Sequence, residues 1–116
     1  MGNAKSFKDL LVWQKAHGLV IAVYEITKIF PHEERFCLVS QMRRAAVSIP
    51  ANITEGFVKR SIKDKSNFYN IAQGSLEELK YYLILSEDLG YSKNETLLLK
   101  ADEVGKLLYR LLFSLP

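Results

Sequence analysis

Six basic side chains crowd between positions 43 and 65: Arg43, Arg44, Lys59, Arg60, Lys63 and Lys65. Lysine and arginine hold phosphates by charge, and the planar guanidinium also grips them through two parallel hydrogen bonds. Phe57, Phe68 and Tyr69 lie among these cations. Exposed rings beside basic groups stack on nucleobases, although the spacing of Phe57 and Phe68 favours the interior. Residues 41–65 carry six basic and two acidic groups, whereas residues 77–103 carry seven acidic and three basic ones. Such separation either draws a polyanion to the basic segment or pairs it with the acidic segment of a second subunit. Solvated helix faces are the third reading of the same residues.

A second polar set recurs at helical spacing: Gln41, Arg44, Ser48, Asn52 and Glu55. It runs beside an apolar stripe of Met42, Ala45, Ala46, Ile49, Ile53 and Phe57, and Pro50 sits in the middle. Proline removes one backbone donor and presses on the carbonyl four residues back, that of Ala46. The apolar series continues beyond it, so a bend with helix on both sides is expected. The polar set reads as a structural network that fixes helix register rather than as catalytic machinery. Arg44 and Glu55 are eleven residues apart, ~16 Å along one helix. An intrahelical pair of Arg44 with Glu55 is therefore excluded, and a partner for Glu55 from another helix or subunit is an alternative.

Motifs for catalysis are missing. No Glu-x-x-His or His-Glu-x-x-His occurs: Gln14 precedes His17 by three positions, and Ile29 precedes His32. Glycine-rich phosphate loops are absent, and neither Ser48 nor Ser75 has a histidine near it in sequence. The expectation is a non-enzymatic protein with no metal or cofactor. Cys37, the single cysteine, cannot form an internal disulfide, which fits a reducing cytoplasm, and it reads as a small buried hydrophobe. No apolar run approaches ~18 residues, so no membrane span is expected. The N-terminus lacks the apolar core of a signal peptide. Met1-Gly2-x-x-x-Ser6 has the form of a myristoylation acceptor, a short match.

One domain suits 116 residues. Composition is that of an ordered protein, 48% hydrophobic and 25% charged, with a net charge of +3. The periodicity predicts four helices over about 7–30, 33–59, 62–89 and 93–114. Ser6-x-x-Asp9 resembles a capping box for the first. Its stripe of Leu10, Trp13, Ala16, Val20, Val23, Thr27 and Phe30 is widened by Val12, Leu19, Ile26 and Ile29, an apolar surface broad enough for a subunit contact. Glu33 and Glu34 fall in the expected first turn of the second helix. Ser61-x-x-Asp64 starts the third, with Phe68, Ile71, Ala72, Ser75, Leu76, Leu79, Tyr82, Leu83 and Leu89 on its buried side and Gly90 as a left-handed cap. Ser92-x-x-Glu95 opens the fourth, whose core spacing runs from Leu97 to Leu115. Long helices joined by short turns imply an all-α, antiparallel up-down-up-down four-helix bundle.

Four segments together resemble the 23S rRNA intervening-sequence protein family, also called the four-helix bundle protein family. They are the run from Phe7 through His17, Phe30-Pro31, the run from Gln41 through Phe57, and Ala72-Gln73-Gly74-Ser75-Leu76-Glu77-Glu78. The resemblance implies a left-handed bundle that assembles as a ring, often a pentamer, with no enzymatic activity. Some members are encoded inside intervening sequences of large-subunit rRNA genes. Others resemble basic pentameric accessory proteins of diversity-generating retroelements, which bind nucleic acid and a reverse transcriptase. Two departures stand out: Val58-Lys59-Arg60 follows Phe57 where the family often has Gly-Arg, and Gln73 replaces a frequent arginine. The function expected is that of a cytoplasmic, homo-oligomeric scaffold, pentameric by resemblance, that binds RNA or a ribonucleoprotein, with DNA as a second candidate ligand. The alternative is a structural ring that binds a protein such as a reverse transcriptase and uses its basic region in subunit contacts.

Overall fold

The Ser6 hydroxyl accepts the amide of Lys8, while the Asp9 carboxylate accepts the amides of Lys5 and Ser6 at 2.9 and 3.1 Å. This is the expected capping box, but it closes only a single 3-10 turn, Phe7–Asp9. Leu10 is extended (φ −78°, ψ 126°), and α1 starts after it, Leu11–Thr27. The computed structural model describes residues 4–116; Gly2, and with it the acylation motif, lies outside the described residues. A second 3-10 turn, His32–Glu34, follows Pro31 and holds the two glutamates that were expected in the next helix. That helix, α2, begins only at Leu38 and runs to Val58, because Cys37 (φ −120°, ψ −100°) departs from helical geometry. Cys37 is exposed on this turn and not buried as the sequence suggested.

Pro50 lies inside α2 with helix on both sides, and its ring is buried. The Thr54 hydroxyl donates to the Pro50 carbonyl at 2.9 Å. A sharp corner separates α2 from α3, Ile62–Asp88. Ser61 caps α3 by accepting the Asp64 amide. Lys65 Nζ reaches back to the carbonyls of Gly56 and Phe57 at 3.1 and 2.7 Å, satisfying the end of α2. At the far end of α3, Gly90 takes φ +80°. Its amide bonds to the Glu87 carbonyl and that of Tyr91 to Ser86, which is a Schellman cap. The last helix, α4, spans Glu95–Phe113. Ser92 does not open it: that hydroxyl is buried without a partner. Asn94 precedes the helix, pinned at 1% exposure by bonds from Nδ2 to the Leu83 carbonyl and Ser86 Oγ.

Each helix packs on two others, α1 on α2 and α4, and α3 on α2 and α4. Cross-helix pairs show the directions. Trp13 meets Thr54 and Thr27 meets Arg43; Arg44 meets Glu78 and Ser48 meets Ser75. Lys80 meets Asp102 while the Leu76 side chain lies against Gly105. Numbers fall on one helix as they rise on its neighbour, so successive helices are antiparallel. The bundle measures 45 × 24 × 19 Å. Val12, Ala16, Leu19 and Val23, then Met42, Ala46, Ile49 and Ile53, Leu76, Leu79 and Leu83, and Ala101, Val104 and Leu108 fill its centre. Ile71 (51% exposed) and Leu89 stand outside it, against expectation; Ile29, part of the broad apolar surface read from the sequence, is 75% exposed. The α3 stripe runs through Tyr69, Ala72, Leu76, Leu79 and Leu83, which turns Ile71 outward.

Candidate nucleic-acid interface

The polar set on α2 faces α3. Ser48 and Ser75 share a 2.7 Å hydroxyl bond, and Asn52 Nδ2 donates to the Ser48 carbonyl and Oγ at 2.7 and 2.9 Å. Arg44 donates twice to Gln41 Oε1 and meets Glu78 at 2.6 Å. Tyr82 completes the seam by donating to the same Glu78 oxygen. These bonds hold the Glu78 carboxyl below its ordinary range, the Tyr82 hydroxyl first and Arg44 after it. Tyr82 is pushed up by the carboxylate it serves. Gln41, Arg44, Ser48 and Asn52 are therefore brought together with Ser75, Glu78 and Tyr82. Glu55 is left out: it is exposed and has no hydrogen bond or ion pair among the described residues. Two directional bonds between the helices, Arg44 to Glu78 and Ser48 to Ser75, fix how far α2 slides along α3.

The six basic residues do not form one patch. Arg43 and Arg44 lie roughly 24 Å along α2 from Lys59. Arg43 is turned toward α1, where Nε donates to Thr27 Oγ1 at 3.0 Å and the guanidinium sits 4.5 Å from the Tyr24 ring centre. At the α2–α3 corner Lys65 is occupied with its capping bonds, and Lys59 lies 5.2 Å over the Phe68 ring. Arg60 and Lys63 are exposed there, with no carboxylate paired to either among the described residues. Tyr69 cannot stack on a base: it is 2% exposed, and burial raises its hydroxyl pKa. Phe57 and Phe68 are half-buried. The acidic segment is already partly engaged, since Lys80 bridges Glu77 and Asp102 at 3.0 Å each and Lys15 lies 3.7 Å from Glu103.

Sequence reasoning passed over Tyr24, Arg35 and Phe36. They line a groove of about 670 Å³ between α1 and the start of α2, together with Arg43, Arg44 and Val47. The guanidinium of Arg35 lies 5.4 Å from the Phe36 ring centre. An adjacent Arg-Phe pair in the turn after Pro31 was the available signal; its proximity to Tyr24 and Arg43 depends on the fold.

His17 stacks on Trp13 with ring centres 5.1 Å apart, and His32 lies exposed in its 3-10 turn. Among the described residues no cluster of three His, Cys, Asp or Glu is placed to hold a metal ion. Among the described residues no helix is long and apolar enough to cross a membrane. Among curated proteins, none matches the chain. A solved structure at 1.70 Å, of a protein of unknown function from the S23 ribosomal protein family of Bacteroides thetaiotaomicron VPI-5482, is similar to it. The two are 28% identical over 92% of this chain and 99% of that one, with a TM-score of 0.83. The profile of the 23S rRNA-intervening sequence proteins matches residues 8–110, and the chain belongs to that family.

Proposed function

We propose that this chain is a non-enzymatic, homo-oligomeric scaffold that binds RNA or a ribonucleoprotein through charge. The observation that carries the reading is the α2–α3 corner, where Arg60 and Lys63 are exposed and have no paired acid among the described residues. Phosphates attract such cations, and several copies in one assembly raise avidity without improving any single site. Assembly has its own support. Leu11, Ile21 and Ile29 on and after α1, Ile71, Tyr81 and Ile84 on α3, and Leu99, Tyr109 and Phe113 on α4 are all exposed. On α4 the exposed Tyr109 and Phe113 rings lie together, their centres 4.6 Å apart, an apolar pair that supports an interaction face. A pentameric ring is the assembly the family resemblance favours. The test is retention of a single-stranded RNA by the wild type and by Arg60→Ala/Lys63→Ala, with the mass followed by light scattering. Weakened binding at unchanged mass supports the reading. Equal binding moves the site elsewhere, and no binding by either protein at ~50 mM salt, where charge contacts are least screened, favours a protein-binding ring.

A further inference from the structure

Phe36 is the most exposed large apolar side chain of the described residues, at 84%. It does not stand alone. Arg35 lies over its ring, and across the groove Arg43 lies over Tyr24. Arg35 and Arg43 also border a second depression of about 260 Å³, which Lys28 and His32 line from the other side. Among the described residues no carboxylate lines either depression. The groove between α3 and α4 is different, because Glu77 and Asp102 stand in it and consume the charge of Lys80.

The donors are not exhausted. A guanidinium offers five N–H groups. Arg43 spends its Nε on Thr27 and one Nη2 bond on the Tyr24 carbonyl. The Arg35 guanidinium has no hydrogen-bond partner among the described residues and lies 5.4 Å from the Phe36 ring centre. An open ring face next to unspent guanidinium donors suits one ligand chemistry: a flat base on the ring and a phosphate on the cations. Duplexes hide their base faces in the stack, so the ligand must be unpaired there. The larger depression is within the usual size of small-ligand sites, ~300–1,000 Å³.

We infer that the groove formed by Tyr24, Arg35, Phe36 and Arg43 binds an unpaired nucleotide of a single-stranded nucleic acid, stacking its base on Phe36 and holding its phosphate between Arg35 and Arg43. This inference rests on the nucleic-acid reading above and gives it a second, structurally distinct site. The corner supplies charge alone; the groove supplies a preference for unpaired strands.

The experiment is fluorescence anisotropy with a labelled 12-nucleotide oligouridylate and the same strand annealed to its complement, at fixed salt. Phe36→Ala raises the dissociation constant for the single strand about ten-fold and leaves duplex binding unchanged. Arg35→Ala weakens single-strand binding and reduces the logarithmic salt slope by about 0.7. Both side chains are exposed, so circular dichroism and melting temperature stay at wild-type values, and light scattering gives the wild-type mass. Single-strand binding unaffected by Phe36→Ala, while Arg60→Ala/Lys63→Ala weakens it, overturns the groove and leaves the charge-based reading standing. A wild type that binds neither probe at ~50 mM salt overturns both. A fall in mass for Phe36→Ala shows a contact between copies of this chain, or with it a protein surface, and also overturns the groove.

Discussion

Gly56 lies near the end of α2 where that helix presses on the start of α3, and replacing it with alanine tests that approach directly. A Cβ at this position would stand 2.5 Å from Cε1 and 2.8 Å from Cδ1 of Tyr69, and 3.2 Å from the Phe68 Cβ. The Tyr69 ring is buried and closed in by the core, so it cannot swing aside cheaply. Forcing one extra carbon into a packed interior costs ~1–3 kcal/mol. Alanine returns up to ~1 kcal/mol of helix propensity, less so close to a helix end. The net expectation is a loss of about 1–2 kcal/mol, or a fall in melting temperature of roughly 4–10 °C for a chain of this size. Gly18 is the control. It sits inside α1 with nothing within 4 Å of its would-be Cβ, so Gly18→Ala gains about 0.5–1 kcal/mol. Thermal unfolding by circular dichroism at one protomer concentration reads both. If Gly56→Ala melts higher, as Gly18→Ala should, the contact between α2 and Tyr69 is not as described.

Ser48→Ala strands the buried Ser75 hydroxyl and costs about 1–2 kcal/mol, whereas Ser48→Ala/Ser75→Ala removes both partners and costs no more than the single change; denaturant midpoints measure the non-additivity. The Glu78 carboxyl has a folded pKa below its ordinary value of 4.5. Its contribution is present in full above pH 4.5 and is lost as pH falls through the lower folded value. Glu78→Gln therefore flattens the acid limb of a stability–pH curve and leaves the neutral region's slope unchanged. Lys80 is held above its ordinary 10.5, by Asp102 first and Glu77 next; its contribution persists below that pH and disappears as pH rises through the higher value, so Lys80→Met flattens the alkaline limb. Pro50→Ala preserves α2, with unchanged or higher helical ellipticity, and its visible effect is on oligomer mass.

The bundle was legible because its helices are long and their apolar positions regular. Met42, Ala46, Ile49 and Ile53 all reach the centre, and Ile53 lies beyond Pro50, as the unbroken series implied. Short-range chemistry was legible too: Ser61 and Gly90 do what their residue types predict. Boundaries were read less well where a turn intervenes. Glu33 and Glu34 were credited to a helix that starts at Leu38, because acids also suit a 3-10 turn. The polar seam was half visible. Its α2 side recurs at helical spacing, but Glu78 lies 34 positions from Arg44 and joins it only through the antiparallel register. Glu55 shares the sequence spacing of the set, yet its side chain is exposed and makes no hydrogen bond or ion pair among the described residues. The basic cluster failed as a unit for a simpler reason. Along one continuous helix each residue adds ~1.5 Å, so Arg43 and Arg60 serve opposite ends of α2.

Binding of RNA through the cations of the α2–α3 corner is decided by its dependence on salt. Anisotropy titrations of the labelled oligouridylate between ~50 and ~300 mM salt give the slope of log K against log salt, and each phosphate contact adds about −0.7 for a single strand. The expected result is a steep negative slope for the wild type that becomes shallower by about 1.4 in Arg60→Ala/Lys63→Ala at unchanged oligomer mass. A slope near zero, or one identical in the two proteins, would contradict it.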